Sequence, residues 1–343
     1  MGKRVALVLG SGGARGYAHI GVIEELERRG YEIACIAGCS MGAVVGGIYA
    51  AGKLDAYKQW IESLDYLDVL RLVDVSFRLG AIRGDKVFGQ IRKIVGELDI
   101  EQLRIPYTAV AADLTHQQEV WFQEGCLHQA MRASAAIPSL FTPVVQGNRV
   151  LVDGGILNPL PIVPVVSSHC DLIVAVNLNA TQPTSYQLPV IERPAAFKQR
   201  FDSLVTSLGA RLPFRRKPAE QLIQIEREII GEGLGATNPW LAEGRVATLT
   251  SSDEERGAPK SATGSFVVDA VGPASLLDLI NQSFEVMQTS LAQYKMAGYP
   301  PDVVIDVPRR VCRFFEFYKA PELIALGRQI ARDRLDAHER PLR

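Results

Sequence analysis

One serine in the sequence stands in a setting that favours nucleophilic chemistry. Ser40 is the central residue of Gly38-Cys39-Ser40-Met41-Gly42, which fits the pattern Gly-x-Ser-x-Gly. The apolar run 32–37 before it predicts a buried strand, and the run of small residues 43–51 after it predicts a helix. A serine on such a turn presents its hydroxyl at the positive end of the helix dipole. The segment therefore predicts a nucleophile elbow, in which Gly38 and Gly42 let strand and helix approach closely.

A serine nucleophile needs a base, and two candidates follow Ser40 in the chain. The order Ser40, Asp153, His169 fits a catalytic triad, although His169 lies close to Asp153 in the chain and is more typical of an ordinary helix end. Asp153 alone is the other candidate, because it follows a predicted strand and precedes Gly154 and Gly155. A dry site would raise the pKa of this carboxyl group and make it a stronger base for serine. Taken by itself, Asp-Gly-Gly is more often a simple turn.

A glycine-rich loop, Gly10-Ser11-Gly12-Gly13-Ala14-Arg15-Gly16, joins a predicted first strand to a predicted helix. It is either a plain tight turn, a dinucleotide-binding loop or an oxyanion hole. The spacing Gly-x-Gly-x-x-x-Gly departs from the dinucleotide pattern, and the elbow stands where that fold needs an acidic residue. Successive glycine amides at a helix N-terminus aim donors at a developing negative oxygen. We favour the oxyanion hole because the predicted nucleophile ends the adjoining strand.

These site segments alternate with predicted strands and helices, an order typical of an α/β fold with parallel strands. Beyond the elbow, the pattern over 53–96 predicts helices interrupted by a polar turn near 83–85. A hairpin is predicted over 141–152, and a short helix is predicted to end at His169. The remaining predictions are strands at 4–9, 106–114, 171–178 and 303–305, and helices at 20–29, 125–136, 219–230, 273–296 and 321–337.

The composition is that of a soluble globular protein: 343 residues, 47% hydrophobic and 22% charged. A net charge of -1 argues against nucleic acid as a partner. The five cysteines lack paired spacing, so we expect neither a disulfide framework nor a zinc site, and no metal or cofactor is predicted. The N-terminal apolar run is too short for a signal peptide, and no run is long enough to span a bilayer. These features predict a cytoplasmic protein.

Taken together, three motifs resemble the patatin-like phospholipases: the glycine loop 10–16, the elbow 38–42 and Asp153-Gly154-Gly155. The continuation 17–22 and Asn158-Pro159-Leu160-Pro161 are similar to the bacterial branch of that family. The resemblance covers about residues 4–180, with a weaker similarity over 301–327. It implies a patatin-like three-layer α/β sandwich, with a mixed central sheet and helices on both faces.

The same resemblance implies a serine lipid acyl hydrolase, which cleaves carboxylic esters of phospholipid or lysophospholipid type. Ser40 would be the nucleophile, activated directly by Asp153 without a histidine. The amides of Gly12 and Gly13 would stabilise the oxyanion, and Arg15 would help to shape the loop. The motif glycines of this expected site are Gly10, Gly16, Gly38, Gly42, Gly154 and Gly155.

One residue of the loop departs from the family pattern, which often reads Gly-Gly-Gly-x-Arg-Gly. Ser11 takes the place of the first glycine. The substitution keeps the amide donor but bears on the geometry of the loop. The alternative function is a regulatory or scaffold patatin-like protein with little turnover, because intact motifs do not guarantee a rate.

The resemblance and the composition also predict a division of the chain. Residues 1–180 would form the catalytic core, 181–265 a variable, lid-like and partly mobile segment, and 266–343 the helices and strand that complete the same domain. Apolar residues lie beside a basic cluster in the middle segment, which predicts at most peripheral contact with the inner membrane surface. A solvated surface helix is the alternative interpretation. The cluster comprises Arg211, Arg215, Arg216 and Lys217.

Overall fold

A computed structural model describes residues 2–72, 75–76, 81–82, 84–138, 141–181, 186–191 and 276–340. The strands within these residues are β1 Arg4–Leu9, β2 Glu32–Cys39, β3 Val75–Ser76, β4 Ala81–Ile82, β5 Tyr107–Asp113, β6 Gln118–Phe122, β7 Val144–Gln146, β8 Arg149–Asp153, β9 Leu172–Ala180 and β10 Val303–Pro308. The α-helices are α1 Ala18–Arg28, α2 Met41–Ala50, α3 Leu54–Glu62, α4 Tyr66–Leu72, α5 Asp85–Val95, α6 Leu127–Ser134, α7 Leu276–Gly298 and α8 Ala320–Glu339.

Eight of these strands form one mixed sheet, in the order β10-β9-β1-β2-β5-β8-β7 with β6 paired to β5. Neighbouring strands from β10 to β5 run parallel. The pairs β5–β6, β5–β8 and β7–β8 are antiparallel. The carboxyl ends of β1, β2 and β9 therefore lie at one edge of the sheet, where the glycine loop and the elbow begin.

Both faces of the sheet are covered, as the alternation along β1 shows. Leu7 and Leu9 belong to a core shared with α1, α2 and α8, whereas Ala6 and Val8 face a second core that includes Ala292 of α7. Strands buried on both faces have to be apolar at almost every position, which explains the unbroken apolar run of β1. The predicted three-layer sandwich with a mixed sheet is confirmed.

The first and last helices are joined by a charged network at the edge of their apolar contact. Glu25 is buried on α1 and accepts hydrogen bonds from Arg28 at 2.6 and 2.7 Å and from Arg29 at 2.8 Å. Arg29 also pairs with Glu339 at 2.8 Å and with Asp336, both on α8. The network links the beginning of the described chain to its end.

Three predictions of local structure were wrong. The strand β6 was not predicted, because its sequence Gln-Glu-Val-Trp-Phe is half-exposed and lacks clean apolar alternation. The short pair β3 and β4 lies inside the region 53–96 that was predicted to be helical. The predicted helix before His169 is only a 3₁₀ turn, Val163–Val165, since the prolines around it supply no amide donor.

Part of the predicted organisation falls outside the residues that the structure describes. That part comprises nearly all of the segment 181–265 and the whole basic cluster of Arg211, Arg215, Arg216 and Lys217. Among the helices that are described, none combines the length and the apolar character needed to cross a bilayer.

Candidate active site

The elbow consists of a single residue between a strand and a helix. Because β2 ends at Cys39 and α2 begins at Met41, Ser40 alone makes the turn, with φ of 56° and ψ of -125°. A positive φ is costly for a residue with a side chain, by about 1–3 kcal/mol. Gly42 allows the turn to form, since a Cβ atom there would overlap the carbonyl oxygen of Leu9. The elbow predicted from the sequence is therefore present, and it packs directly on the end of β1.

The hydroxyl of Ser134 holds this elbow in place. It accepts a hydrogen bond from the backbone amide of Ser40 at 3.0 Å and donates one to the carbonyl oxygen of Val110 at 2.6 Å. Ser134 is fully buried at the end of α6, and Val110 lies on β5. One hydroxyl thus ties α6 and β5 to the strained turn.

Asp153 approaches Ser40 from the end of β8. Its Oδ2 accepts a hydrogen bond from the Ser40 hydroxyl at 2.5 Å, and its Oδ1 accepts one from the Gly155 amide at 2.7 Å. The thiol of Cys39 lies 3.9 Å from the same Oδ1. The turn after Asp153 needs glycine, because a Cβ atom at Gly154 would overlap the carbonyl oxygen of Val110.

Both side chains of this pair are fully buried. Burial raises the pKa of Asp153 to about 7, although the hydrogen bonds from Ser40, Gly155 and Cys39 act in the opposite direction. An ordinary aspartate has a pKa near 4 and is a poor proton acceptor from serine. The environment of Asp153 therefore makes its carboxylate a stronger base while leaving it ionised above neutral pH.

The glycine loop presents two unused amide donors. The amides of Ser11 and Ala14, on either side, donate to backbone carbonyls elsewhere in the chain at 2.8 and 2.9 Å. Those of Gly12 and Gly13 donate to no acceptor in the described part of the chain. Gly16 brings the loop against the elbow, since a Cβ atom there would overlap the side chain of Met41, the residue after Ser40. The loop can therefore offer two donors to a ligand oxygen beside the elbow.

Arg15 anchors the loop from behind. Its buried guanidinium donates to the carbonyl oxygen of Arg309 at 3.0 Å, to Glu285 on α7 at 3.1 Å and to Asn179 at 3.4 Å. Burial lowers the pKa of Arg15, and the charge of Glu285 opposes that effect. Within the described residues, the side chain of Arg15 touches neither Ser40 nor Asp153. It shapes the loop by fixing it to three other segments.

The histidines stand apart from this pair. His169 is exposed at the amino end of β9, whereas Ser40 follows the carboxyl end of the parallel strand β2. His19 is buried on α1 and donates to the carbonyl oxygen of Gly10 at 2.8 Å, and burial lowers its pKa to about 4. In the part of the chain that the structure describes, no histidine contacts Ser40 or Asp153. A triad through His169 does not form.

Three polar residues near the site were missed in the sequence: Ser134, Glu285 and Gln288. Gln288 of α7 is fully buried and donates to the hydroxyl of Ser11 at 2.9 Å. Each is a single polar residue on a helix, without a motif or a spacing that marks it. The only available signal was a polar residue on an otherwise apolar helix face, which is common on surfaces as well.

Comparison with known proteins identifies the family that shares this sequence pattern. A family model described as patatin-like phospholipase matches residues 7–166, a range that contains the glycine loop, Ser40 and Asp153. An uncharacterized NTE family protein of Mycobacterium tuberculosis (strain ATCC 25618 / H37Rv) is 42% identical over 339 residues, which are 98% of this chain and 92% of that protein. The counterpart in Mycobacterium bovis (strain ATCC BAA-935 / AF2122/97) matches to the same extent.

Other relatives match over a shorter stretch of the chain or with lower identity. Lysophospholipase NTE1 of Cryptococcus neoformans var. neoformans serotype D (strain JEC21 / ATCC MYA-565) is 32% identical over 193 residues, 54% of this chain but 12% of that protein. Among solved structures, VipD from Legionella pneumophila aligns with 98% of this chain and 67% of its own, at 16% identity and a TM-score of 0.38. So low a score has no bearing on fold or function. The near full-length relatives and the family model agree, and the chain belongs to the bacterial patatin-like phospholipase family.

Proposed function

We propose that this protein is a serine lipid acyl hydrolase that acts on phospholipid or lysophospholipid esters through a Ser40–Asp153 dyad. The proposal is carried by one observation, the 2.5 Å hydrogen bond from the Ser40 hydroxyl to Oδ2 of a buried carboxyl group. Family membership supports lipid hydrolysis in general terms, and one relative bears the name lysophospholipase.

In the first half of the reaction, Ser40 attacks the ester carbonyl carbon. Asp153 takes the hydroxyl proton on Oδ2 as the new C–O bond forms, and the carbonyl oxygen becomes an oxyanion. When this tetrahedral intermediate collapses, the bond to the alcohol breaks and Asp153 returns the proton to the leaving oxygen. The products are an acyl ester on Ser40 and a free alcohol, such as a glycerophosphoryl compound.

In the second half, water replaces the alcohol. Asp153 takes a proton from the water as its oxygen attacks the acyl carbon, and a second tetrahedral oxyanion forms. Collapse breaks the bond to Ser40, whose oxygen recovers the proton from Asp153. The fatty acid leaves, and the dyad is restored.

Charge on the carbonyl oxygen has to be balanced in both intermediates. The amides of Gly12 and Gly13 are suited to that task, because neither is used within the described chain and the loop abuts the residue after Ser40. Preorganised donors of this kind are worth about 3–4 kcal/mol of transition-state stabilisation each. The amino end of α2 contributes further donors, since the first amides of a helix lack intrahelical partners.

Two variants test the proposed roles. We expect Ser40→Ala and Asp153→Asn each to reduce kcat for lysophosphatidylcholine and p-nitrophenyl octanoate by about 10³-fold or more, because the members of such a unit act together. His169→Ala is the matched control and should retain wild-type turnover, since His169 lies at the opposite edge of the sheet. Full activity of Asp153→Asn would refute the dyad, and full activity of Ser40→Ala would refute the nucleophile.

A protein that keeps the fold with little turnover would behave differently. A fluorophosphonate reagent reacts with an activated serine, so mass spectrometry of the labelled protein should find the adduct on Ser40. Asp153→Asn should lose this labelling while remaining folded by circular dichroism. An unlabelled, folded wild-type protein would favour the regulatory alternative.

A further inference from the structure

The helix α7 places the buried side-chain amide of Gln288 between the glycine loop and the turn that follows Asp153. Nε2 of Gln288 donates a hydrogen bond to the Ser11 hydroxyl at 2.9 Å, and Ser11 directly precedes the amide of Gly12. The same nitrogen packs on Gly155, where a Cβ atom would overlap it. Gly155 in turn donates its amide to Oδ1 of Asp153. One side chain therefore contacts the loop with the free donors and the turn that holds the base.

Packing alone does not explain an amide at this position. Gln288 has no exposed surface, and its Oε1 accepts no hydrogen bond from any residue that the structure describes. A buried acceptor without a partner costs free energy that an apolar side chain of the same length avoids. Elsewhere on the same face, α7 uses Ala292 and Met296 against the second core. The part of this amide that makes a hydrogen bond is therefore its donor, Nε2.

A second contact of α7 points to the same loop. Glu285 lies three residues before Gln288, on the same side of the helix, and pairs with Arg15 at 3.1 Å. The two side chains of α7 thus hold the loop at both ends of the Gly12-Gly13 pair. The Arg15 contact uses a residue of the family motif, whereas the Gln288 contact depends on Ser11, which stands where the family pattern has glycine.

We infer that Gln288 is a positioning residue that keeps the oxyanion donors of the loop aligned with the Ser40–Asp153 pair through its hydrogen bond to Ser11. This inference rests on the proposed hydrolase function. The mechanism is geometric, since a misplacement of about 1 Å in an active site can cost about 100-fold in rate. Within the described residues, Gln288 makes no hydrogen bond to Ser40 or Asp153.

The hydrogen bond can be removed from either side. Gln288→Met keeps the length of the side chain and removes its donor, Ser11→Ala removes the acceptor, and the double variant removes both. Gln293→Met makes the same exchange at an exposed position of α7. Full-length proteins are assayed with p-nitrophenyl octanoate for kcat and KM separately, next to wild type and Ser40→Ala, and the melting temperature of each is measured.

We expect each single variant to lower kcat by about tenfold to 100-fold with KM within about twofold, because alignment matters only in the transition state. The double variant should be no slower than the worse single variant, since both remove one bond. Gln293→Met should match wild type. The melting temperature of Gln288→Met should stay close to that of wild type, because removal of the unpartnered Oε1 offsets the loss of the partner of the Ser11 hydroxyl.

Two results would overturn the inference while leaving the hydrolase function intact. One is wild-type kcat in Gln288→Met, or in Ser11→Ala if Gln288→Met does not fold. The other is a double variant in which the two losses multiply, because Gln288 would then act by another route. If wild type shows no hydrolysis beyond Ser40→Ala, the proposed function itself fails, and the inference fails with it.

Discussion

At the scale of single residues, the carboxyl group of Asp153 controls the pH range of the proposed chemistry. Asp153 is fully buried, and its pKa of about 7 follows mainly from that burial. Only the ionised form can accept the proton of Ser40. The pKa of Asp153 can therefore be measured from the pH dependence of the reaction rate.

We predict that kcat/KM for p-nitrophenyl octanoate falls about tenfold per pH unit below an apparent pKa near 7 and is level above it. The sign follows from protonation of the base as pH falls. Circular dichroism at pH 5 and pH 8 serves as the control for folding. A profile that stays level from pH 5 to pH 8 in a folded protein would contradict the assignment of Asp153 as base.

Cys39 offers an independent check on the same group. Its thiol is a weak donor to Asp153 Oδ1 and lowers the pKa of that carboxyl group. Cys39→Ala should therefore move the acid limb of the kcat/KM profile to higher pH. A shift to lower pH would mean that the thiol does not act on Asp153 in this way.

The sequence was informative about these residues where chemistry demands a fixed pattern. Ser40, Asp153 and the loop glycines occur in short motifs, and the structure brings Ser40 and Asp153 into contact. Ser134 and Gln288 reach the site from helices distant in sequence, and their importance depends on which helix face meets which strand. That information is tertiary, so no spacing within the chain reveals it.

At the scale of elements, the elbow depends on a helix that lies far from it in sequence. Ser134, the last residue of α6, bonds the amide of Ser40 and the carbonyl group of Val110. The positive φ of Ser40 persists because such bonds outweigh the local strain. The geometry of Ser40 therefore depends on α6 and β5 as well as on the elbow.

We predict that Ser134→Ala lowers the free energy of unfolding by about 1–3 kcal/mol, because two buried backbone groups lose their partner. A decrease in kcat should accompany it as the elbow relaxes. Urea unfolding followed by circular dichroism measures the first effect. Ser290→Ala, at an exposed position of α7, should change stability by less than about 0.5 kcal/mol. Equal stability of Ser134→Ala and wild type would show that Ser134 does not support the turn.

The elements that the sequence predicted well are those buried on both faces or bounded by glycine. The apolar run of β1 and the hairpin of β7 and β8 about Gly147 are examples. The strand β6 escaped prediction because it is a half-exposed strand whose existence depends on pairing with β5. Pairing with a distant partner is not encoded in local periodicity.

At the scale of the whole molecule, α1 contacts α8, so that helices from the two ends of the described chain pack together. Glu25 is the centre of their charged network, and its arginine partners lower its pKa to about 2 against burial. The ordinary pKa of glutamate is about 4.3. A carboxyl group with a lowered pKa stabilises the folded state above its unfolded pKa, and the contribution is lost as pH falls toward the folded value.

We predict that Glu25→Gln lowers the free energy of unfolding by about 1–3 kcal/mol at pH 7, because charged hydrogen bonds to two arginines are lost. The difference from wild type should shrink between pH 5 and pH 2. Glu97→Gln breaks the exposed pair with Arg92 and should lower the free energy of unfolding by less than Glu25→Gln does, because solvent screens an exposed pair. Urea unfolding at several pH values makes the comparison. A loss that does not depend on pH would point to packing instead of charge.

The contact between the glycine loop and α7 has a consequence for the chain during its synthesis on the ribosome. Arg15 and Glu285 are separated by 270 residues, so a ribosome working at about 5–20 residues per second needs on the order of ten to fifty seconds to supply the second after the first. Until α7 has been made, the loop lacks its contacts with Glu285 and Gln288. A nascent chain would then hold the proposed nucleophile and base without an aligned glycine loop. Synthesis itself would thus delay the proposed hydrolysis until α7 has been made.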